Sequence, residues 1–436
     1  MSDPRADRPH KNRRIRPVLR GLVIVIFLAL GVGLWLRAFP SFHPQPIDDA
    51  PFQKRVETAT EGKVTVSVVA LTPEETEAAV GFKTAGADIQ PVWLQVTNGE
   101  TIRYFIPPIT IDGEYYSPME VAWKGHGWLS SAQNARIDAH LIGLSLPNHV
   151  EPGATVSGFV FTSLDKGVKY VSLELIGARE GEARGFAFLA RIPGIKTDYQ
   201  SVDWEALYKP GEITDLDDDG LRAWLEKLPC CVKGGDKKTD GDPLNIVMVG
   251  SRSMVFSPLA RRGWHVTETT TVASSWDTIV SSVFGTIYRY APVSPLYLFG
   301  RRQDIALQKP RADVNQRNHM RLWLAPVTAG GKPVWVGQIS RDIGVRLTTK
   351  TITTHKVDPQ MDETRWYLLQ DMFFSQGMRR FGLVKGVGAS TPEAPRTNYT
   401  GDPYFTDGLR AVMWMSDTPV SYHRIESVPW EPPQAH

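Results

Sequence analysis

The stretch that decides the fold reads Arg317-Asn318-His319-Met320-Arg321-Leu322-Trp323-Leu324. In a β-strand, successive side chains point to opposite faces, so Arg317, His319 and Arg321 are predicted to share one face. The even-numbered residues from Met320 to Leu324 then share the other face, which is apolar and is predicted to meet a hydrophobic core. The pattern therefore predicts a strand with two arginines and a histidine side by side.

A second strand is predicted over Val334–Val345, with Gln338, Ser340 and Asp342 on one face. If the two strands pair, their Arg, His, Gln and Asp side chains line one polar surface. Arginine binds phosphate bidentately and histidine exchanges a proton near neutral pH, so this surface predicts an anion or phosphate site. The alternative interpretation is a solvated sheet face with structural salt bridges.

Two neighbouring segments, Gly300–Asp304 and Thr353–Pro359, add further charged residues. The candidate catalytic residues, chosen for proton transfer, are His319, His355 and Asp342. The candidate ligand-binding residues are Arg317, Arg321, Arg301, Asp304, Arg341 and Asp358. Two histidines and a carboxylate suit zinc or iron, but they come from separate segments without a helical i, i+4 pair, so neither a metal nor another cofactor is predicted.

The N-terminus is predicted to be a membrane anchor. Residues 1–20 carry a net charge of +5, whereas the whole chain of 436 residues carries +2. The remainder is therefore acidic, which argues against a nucleic acid as a partner. The run from Gly21 to Leu36 has no charged residue, and with its flanks it reaches about 22 residues, enough to span a bilayer core of about 30 Å.

A transmembrane helix is therefore predicted over residues 18–39, the alternatives being a cleaved signal peptide and a buried core helix. The positive-inside rule keeps the basic tail in the cytoplasm. The predicted location is the bacterial inner membrane, crossed once, with the C-terminal domains in the periplasm.

The predicted fold class is α+β, with an N-terminal transmembrane helix, a small β-sandwich and then a mixed α+β domain. The predicted segments are a basic tail (1–17), the transmembrane helix (18–39), a linker (40–60), the sandwich (61–195), the α+β domain (196–425) and a tail (426–436). A type I′ hairpin is predicted at Asn98-Gly99, and a helix over Asp362–Met378 with Asp362 as its N-cap.

Two local patterns are predicted to be structural. The acidic run Asp215–Gly220 with Glu226 has the spacing of an EF-hand calcium loop, but Arg222 stands where that loop needs an apolar residue. A helix that starts after Gly220 and is stabilised by the acidic run is predicted instead. Cys230 and Cys231 are neighbours, and a bridge between neighbours closes a strained ring, so no structural disulfide is predicted.

Several long motifs resemble the LssY C-terminal domain family. They are Pro243–Gly250, Gly263-Trp264, Pro292–Asp304, Arg317–Trp323, Pro333–Gly337, Ser340–Gly344 and His355 with Asp358-Pro359. The resemblance covers about residues 195–420 and implies a bacterial envelope location, because the family was named for a proposed component of type I secretion. No established catalytic residue carries over from it.

Two hypotheses about function remain open. The first is a non-enzymatic envelope protein that binds a lipid or phosphate head group or a protein partner, in secretion or envelope maintenance. The second is a hydrolase acting on a phosphorylated lipid or glycan, in which His319, His355 and Asp342 transfer protons while Arg317 and Arg321 hold the phosphate. Whether the protein is an enzyme is left undecided by the sequence.

Overall fold

The computed structural model describes most of the chain. The described residues are 15–38, 41–84, 89–112, 115–165, 167–179, 182–193, 198–204, 206–209, 211–267, 294–310, 317–346 and 354–432. Within these ranges the protein is a mixed α+β structure with several separate sheets. The α-helices are α1 (Ile15–Ala38), α2 (Pro73–Val80), α3 (Pro118–Gly125), α4 (Ser131–Leu144), α5 (Asp218–Glu226), α6 (Arg252–Arg261) and α7 (Met361–Phe374).

The prediction of a transmembrane helix over residues 18–39 is wrong. Helix α1 covers residues 18–38 of this range, yet no helix of the described residues is long and apolar enough to cross a membrane. Arg20 and Arg37 bound the charge-free run, which leaves 16 residues. At about 1.5 Å per residue such a run covers about 24 Å, less than the bilayer core of about 30 Å.

Strands of the first half of the chain form two four-stranded sheets. They are β1 (Glu57–Glu61), β2 (Val64–Ala70), β3 (Ile89–Asn98), β4 (Tyr104–Phe105), β5 (His149–Val150), β6 (Thr155–Ser163), β7 (Val168–Gly177) and β8 (Ala183–Arg191). The strand orders are β1-β2-β3-β6 and β5-β4-β7-β8. Val66 and Leu94 of the first sheet share one hydrophobic core with Leu173 and Phe186 of the second. The two sheets therefore pack face to face.

The hairpin predicted at Asn98-Gly99 does not form. Strand β3 ends at Asn98, and the next strand, β4, pairs with β5 and β7 of the other sheet. The buried Asn98 side chain donates hydrogen bonds to the carbonyls of Ile102 (2.7 Å) and Glu151 (3.1 Å). Asn98 therefore anchors a crossing between sheets, because its amide satisfies backbone groups that a tight hairpin would have paired.

The second half of the chain is built around a large sheet. Its strands are β9 (Thr214–Leu216), β10 (Cys231–Lys233), β11 (Asp240–Pro243), β12 (Ile246–Val249), β13 (His265–Val266), β14 (Tyr297–Leu298), β15 (Arg301–Arg302), β16 (Ile305–Pro310), β17 (Arg317–Ala329), β18 (Lys332–Arg346), β19 (Thr354–Val357), β20 (Met378–Lys385), β21 (Arg396–Thr397), β22 (Pro403–Tyr404), β23 (Leu409–Met415) and β24 (Glu426–Val428). The ten-stranded sheet has the order β13-β16-β17-β18-β12-β23-β20-β24, with β19 on β18 and β9 on β17. A small sheet has the order β11-β10-β14-β15, and β21 pairs with β22.

Both faces of the ten-stranded sheet are covered. On one face Leu322 of β17 belongs to a core that includes Leu369 of α7. On the other face Trp323 belongs to a core with Leu225 of α5 and Val232 of β10 in the small sheet. A polar side chain in the middle of this sheet is therefore removed from water, whichever way it points.

Two acidic segments differ in detail from their predictions. Helix α5 begins at Asp218 rather than after Gly220, and the Asp217 side chain caps it by accepting from Gly220 N at 2.8 Å. Helix α7 has Gln360 at its N-cap, so Asp362 is not the cap. The Asp362 carboxylate is buried and accepts from the backbone N–H of Asp407, because partners from a distant loop reach it.

The prediction that Cys230 and Cys231 are not bridged is also wrong, since the structure joins them by a disulfide. Their turn is held in place from outside. Arg410 donates to the carbonyl of Pro229 at 2.6 Å, and Leu244 N donates to the carbonyl of Cys230 at 2.8 Å. These long-range bonds fix the backbone that carries both sulfurs.

The β17–β18 hairpin is closed by Gly330 and Gly331. Their φ angles are +56° and +74°, and Ala329 pairs directly with Lys332. A two-residue loop with positive φ at both positions is the type I′ turn, whose twist matches the flanking strands. A Cβ added at either glycine would meet no heavy atom within 4 Å. Only backbone conformation therefore requires glycine here.

We expect Gly331→Ala to lower the free energy of unfolding by about 1 kcal/mol, because an L-residue resists the left-handed conformation. Gly331→Asn should cost less, since asparagine tolerates that conformation. Urea unfolding of both variants measures the difference. Equal stability of Gly331→Ala and the wild type would contradict the assignment of the turn.

Candidate anion-binding site

The pairing of β17 with β18 gathers polar side chains on one face. His319 lies opposite Ser340 and Arg321 lies opposite Gln338. Directly opposed residues of antiparallel strands project from the same face, where their side chains contact each other. We call the set Arg317, His319, Arg321, Gln338, Ser340 and Asp342, together with Asp242 of β11, the polar layer.

The polar layer is buried. Gln338 and Ser340 have no exposed surface, and His319, the most exposed of the layer's residues on β17 and β18, is only 6% exposed. The side chains lie on the same face as Trp323, which packs against the small sheet. These residues therefore do not form a solvated sheet face. Each charge in the layer needs a partner inside the protein.

Arg317 and Asp342 form a buried salt bridge. The distance from Arg317 Nε to Asp342 Oδ2 is 2.9 Å, and both side chains are at most 3% exposed. Asp342 Oδ1 also lies 3.3 Å from His319 Nδ1. Arg317 therefore has the internal partner that a structural role requires.

Ser340, His319 and Asp342 lie in a row. Ser340 Oγ is 2.9 Å from His319 Nε2, and the other ring nitrogen faces Asp342. Gln338 Nε2 donates to Ser340 Oγ at 2.8 Å, so the hydroxyl proton remains available for His319 Nε2 or for Asp242 Oδ2, 3.3 Å away. A hydroxyl, an imidazole and a carboxylate in this order can move a proton away from the hydroxyl.

Arg321 has no carboxylate partner among the described residues. Its guanidinium donates from Nε to the carbonyl of Ser294 (3.1 Å) and from Nη1 to Gln338 Oε1 (3.0 Å). Burial lowers the pKa of Arg321 to about 10, against the opposing effects of Asp242 and Asp342. The group therefore stays cationic at neutral pH, with its charge not directly neutralised in the part of the chain that the structure describes.

Asp242 connects the polar layer to more distant segments. Its Oδ2 accepts from Gln338 Nε2 at 3.0 Å, and its Oδ1 accepts from Asn398 Nδ2 at 2.8 Å. The alternation of side chains along β18 already placed Gln338 and Ser340 on the same face as Asp342 in the sequence. Neither Asp242 nor Asn398 gave a sequence signal, because a short strand and a loop bring them to the sheet.

Arg301 and Asp304, two predicted ligand-binding residues, form a separate ion pair. Arg301 Nε and Nη2 donate to the two Asp304 oxygens, each at 2.9 Å. Arg301 also donates to Tyr208 Oη and to the carbonyl of Leu324. Protein groups accept these hydrogen bonds of the Arg301 guanidinium, so the Arg301–Asp304 ion pair fixes the chain beside β17.

The remaining candidates lie elsewhere. Arg341 points to the opposite face, where its guanidinium lies over the Tyr367 ring of α7, 5.7 Å from the ring centroid. Asp358 accepts from the backbone N–H of Gln360 in a turn. The backbone of His355 pairs with Val345, and its side chain lies outside the described residues. No cluster of three metal-ligating side chains occurs in the described ranges.

A cavity of about 550 Å³ lies away from the polar layer, between the face-to-face sheets and the segment from α6 to β13. Its wall includes Lys169, which is 2% exposed and bonds Asp112 (3.0 Å) and Asp165 (2.8 Å). Asp165 also lies 3.3 Å from His265. These contacts join the two halves of the protein.

The two buried arginines of the polar layer should respond differently to substitution. Arg317→Met leaves Asp342 as a buried carboxylate without its guanidinium, so we expect the free energy of unfolding to fall by about 3–5 kcal/mol. Arg321→Met removes a buried charge that no carboxylate of the described residues neutralises, which offsets its lost hydrogen bonds, and the change should stay below about 1 kcal/mol.

Chemical denaturation of the two variants beside the wild type measures this difference. The substitutions are matched, since both place methionine at a buried position on the same face of β17. Equal destabilisation by both would mean that Arg321 is as tightly bound to protein partners as Arg317.

Comparison with known proteins finds a match within this part of the chain. Residues 226–409 match the family model described as LssY C-terminus. No curated protein matches the chain. The matched range contains every residue of the polar layer, and the resemblance expected from the motifs is confirmed. Residues 226–409, which hold the polar layer, are therefore similar to the LssY C-terminal domain.

Proposed function

We propose that the LssY C-terminal domain binds a phosphate-bearing ligand at the polar layer, with Arg321 as the residue that recognises the phosphate. The observation that carries this proposal is the buried guanidinium of Arg321, which contacts no carboxylate in the described residues. A phosphate supplies both the negative charge and the oxygen acceptors that a guanidinium matches bidentately.

Arg410 provides an internal comparison. It is also buried, has no carboxylate partner in the described ranges, and burial lowers its pKa to about 10. Its guanidinium, however, is surrounded by backbone carbonyls, including those of Leu244, Leu225 and Pro229. A guanidinium has five N–H donors, and Arg321 uses two of them within the described residues. The donors left over distinguish Arg321 from an arginine that only supports the fold.

Burial favours a small charged group over a protein surface as the ligand. Arg321 is 4% exposed and its neighbour Gln338 is fully buried. A protein partner recognises side chains that it can reach at a surface, whereas a phosphate group can enter a narrow site. Free phosphate and a lipid head group share this chemistry. The expected envelope and secretion partners, and the periplasmic location, stay predictions.

We expect inorganic phosphate to raise the melting temperature of the wild type but not that of Arg321→Met. A ligand that binds only the folded state stabilises it by about 2.7 kcal/mol at about 100 times its Kd. Arg341→Met is the matched control, because Arg341 lies on the neighbouring strand and points to the opposite face. Equal shifts in the wild type and Arg321→Met would refute the proposal.

Sedimentation with vesicles separates the two sources of phosphate. Vesicles of phosphatidylcholine with and without phosphatidic acid present the same surface except for the phosphomonoester. Binding that needs phosphatidic acid and Arg321 identifies a lipid head group. A response to inorganic phosphate without vesicle binding identifies a soluble phosphate ligand.

A second candidate function is hydrolysis of a phosphate ester, favoured by the 2.9 Å contact between Ser340 Oγ and His319 Nε2. In this reaction Ser340 Oγ attacks phosphorus while its proton passes to His319 Nε2. The ester P–O bond breaks, and the leaving alcohol takes that proton. Water then attacks phosphorus and gives a proton to His319 Nε2, the P–Oγ bond breaks, and Ser340 Oγ takes that proton as phosphate leaves, with Arg321 beside the phosphoryl oxygens.

Release of 4-nitrophenol from 4-nitrophenyl phosphate tests this second function. We expect Ser340→Ala to abolish turnover while it keeps the melting shift with phosphate, because the phosphate is held by Arg321. His319→Gln should lower the rate by about 10²–10⁴, the usual contribution of a general base. A wild type that binds phosphate without turnover is a binding protein and not a hydrolase.

A further inference from the structure

The disulfide between Cys230 and Cys231 contributes little to the stability of the fold. The bonded residues are adjacent, so the loop that the bond closes is the smallest that a chain allows. A disulfide stabilises a protein mainly by closing a loop in the unfolded chain, and the gain grows with loop length. The role of the bond is therefore chemical rather than structural.

The pair is placed where a reductant can approach it. Cys230 is half-buried, and the buried Cys231 lines a cavity of about 240 Å³. Lys237 lines the same cavity with its Nζ 4.9 Å from the Tyr297 ring centroid, whereas Lys233, also on the wall, pairs with Asp240 at 2.6 Å. Positive charge near a cysteine favours the thiolate, which is the form that takes part in disulfide exchange.

Two contacts of Cys231 lead to the polar layer. Across the small sheet, Cys231 pairs with Pro243, the residue that follows Asp242. On its other side, Cys231 Sγ lies 3.6 Å from the hydroxyl of the buried Tyr404. Tyr404 belongs to the β21–β22 ribbon, whose connecting segment carries Asn398, and Asn398 holds Asp242 at 2.8 Å.

Asp242 is therefore fixed from two directions by elements that contact Cys231. It in turn accepts from Gln338, whose side-chain oxygen accepts from Arg321. A change in the position of Cys231 can reach Arg321 through its pairing with Pro243, the chain neighbour Asp242, and the hydrogen bonds from Gln338 to Asp242 and from Arg321 to Gln338.

We propose that Cys230–Cys231 is a thiol–disulfide exchange site for a dithiol reductant, and that its reduction weakens phosphate binding at the polar layer. A thiolate of the dithiol attacks Cys230 Sγ, the S–S bond breaks, and Cys231 leaves as a thiolate that takes a proton. The second thiol of the reductant then attacks the mixed disulfide and releases Cys230. Two electrons and two protons pass to the protein, and the reductant leaves as a disulfide.

Reduction frees the two Sγ atoms to separate, so the Cys231 side chain can rotate away from Tyr404 while the backbone of the turn stays bonded to Arg410 and Leu244. The pairing of Cys231 with Pro243 and its contact with Tyr404 then hold Asp242 less firmly. We expect the affinity for phosphate to fall by about fivefold or more, the usual size of coupling between two sites. This part of the inference rests on the proposed phosphate binding.

The test treats the folded full-length protein with dithiothreitol, followed by iodoacetamide and mass spectrometry. We expect two carbamidomethyl groups, one on each cysteine, under conditions in which the protein stays folded. Labelling only after denaturation would overturn the exchange site. The double variant Cys230→Ser/Cys231→Ser is the control, because it mimics the reduced state and cannot respond to dithiothreitol.

Hydrogen exchange and phosphate titration of the oxidised and reduced forms test the coupling. Reduction should speed amide exchange in 240–243 and 396–404 and weaken phosphate binding, and the serine variant should behave like the reduced form throughout. Unchanged exchange in both segments would overturn the coupling. If neither form binds phosphate, the proposed function fails, while labelling and hydrogen exchange still decide the redox inference.

Discussion

The structure depends on the need of buried charges for partners. Strands β17 and β18 lie inside a sheet that is covered on both faces, so the side chains of the polar layer are removed from bulk water. An isolated charge in such a place costs several kcal/mol, which makes each partner a condition of folding. Arg317 meets this condition through Asp342, whereas Arg321 does so only in part.

The same need ties distant segments of the chain together. Arg365 of α7 forms a bidentate pair with Asp407, and Arg410 of β23 collects carbonyls that follow α5. Asp242 and Asn398 join the small sheet and the β21–β22 ribbon to the large sheet. Buried polar groups therefore set how the layers of the LssY C-terminal domain stack, and the apolar cores fill the space between them.

Local sequence patterns correctly predicted the features that depend only on neighbouring residues. Alternation predicted strands that the structure contains, among them β2, β6, β17 and β18. Turn residues predicted a hairpin correctly only where the two flanking strands pair with each other. Asn98-Gly99 has the residues of a type I′ turn, but the side chain of Asn98 is buried in a crossing between sheets, and Gly330-Gly331 forms that turn instead. Which pair of strands a turn connects depends on the sheet that each strand joins.

By itself, the sequence determined that Arg317, His319 and Arg321 share one face, because the two-residue period of a strand is a property of the backbone. Its long motifs also indicated the similarity of residues 226–409 to the LssY C-terminal domain. Only the tertiary structure decided that this face is buried, that Asp342 pairs with Arg317 rather than Arg321, and that Asp242 closes the network. These facts depend on which distant strand covers the face, and no local pattern of residues encodes that choice.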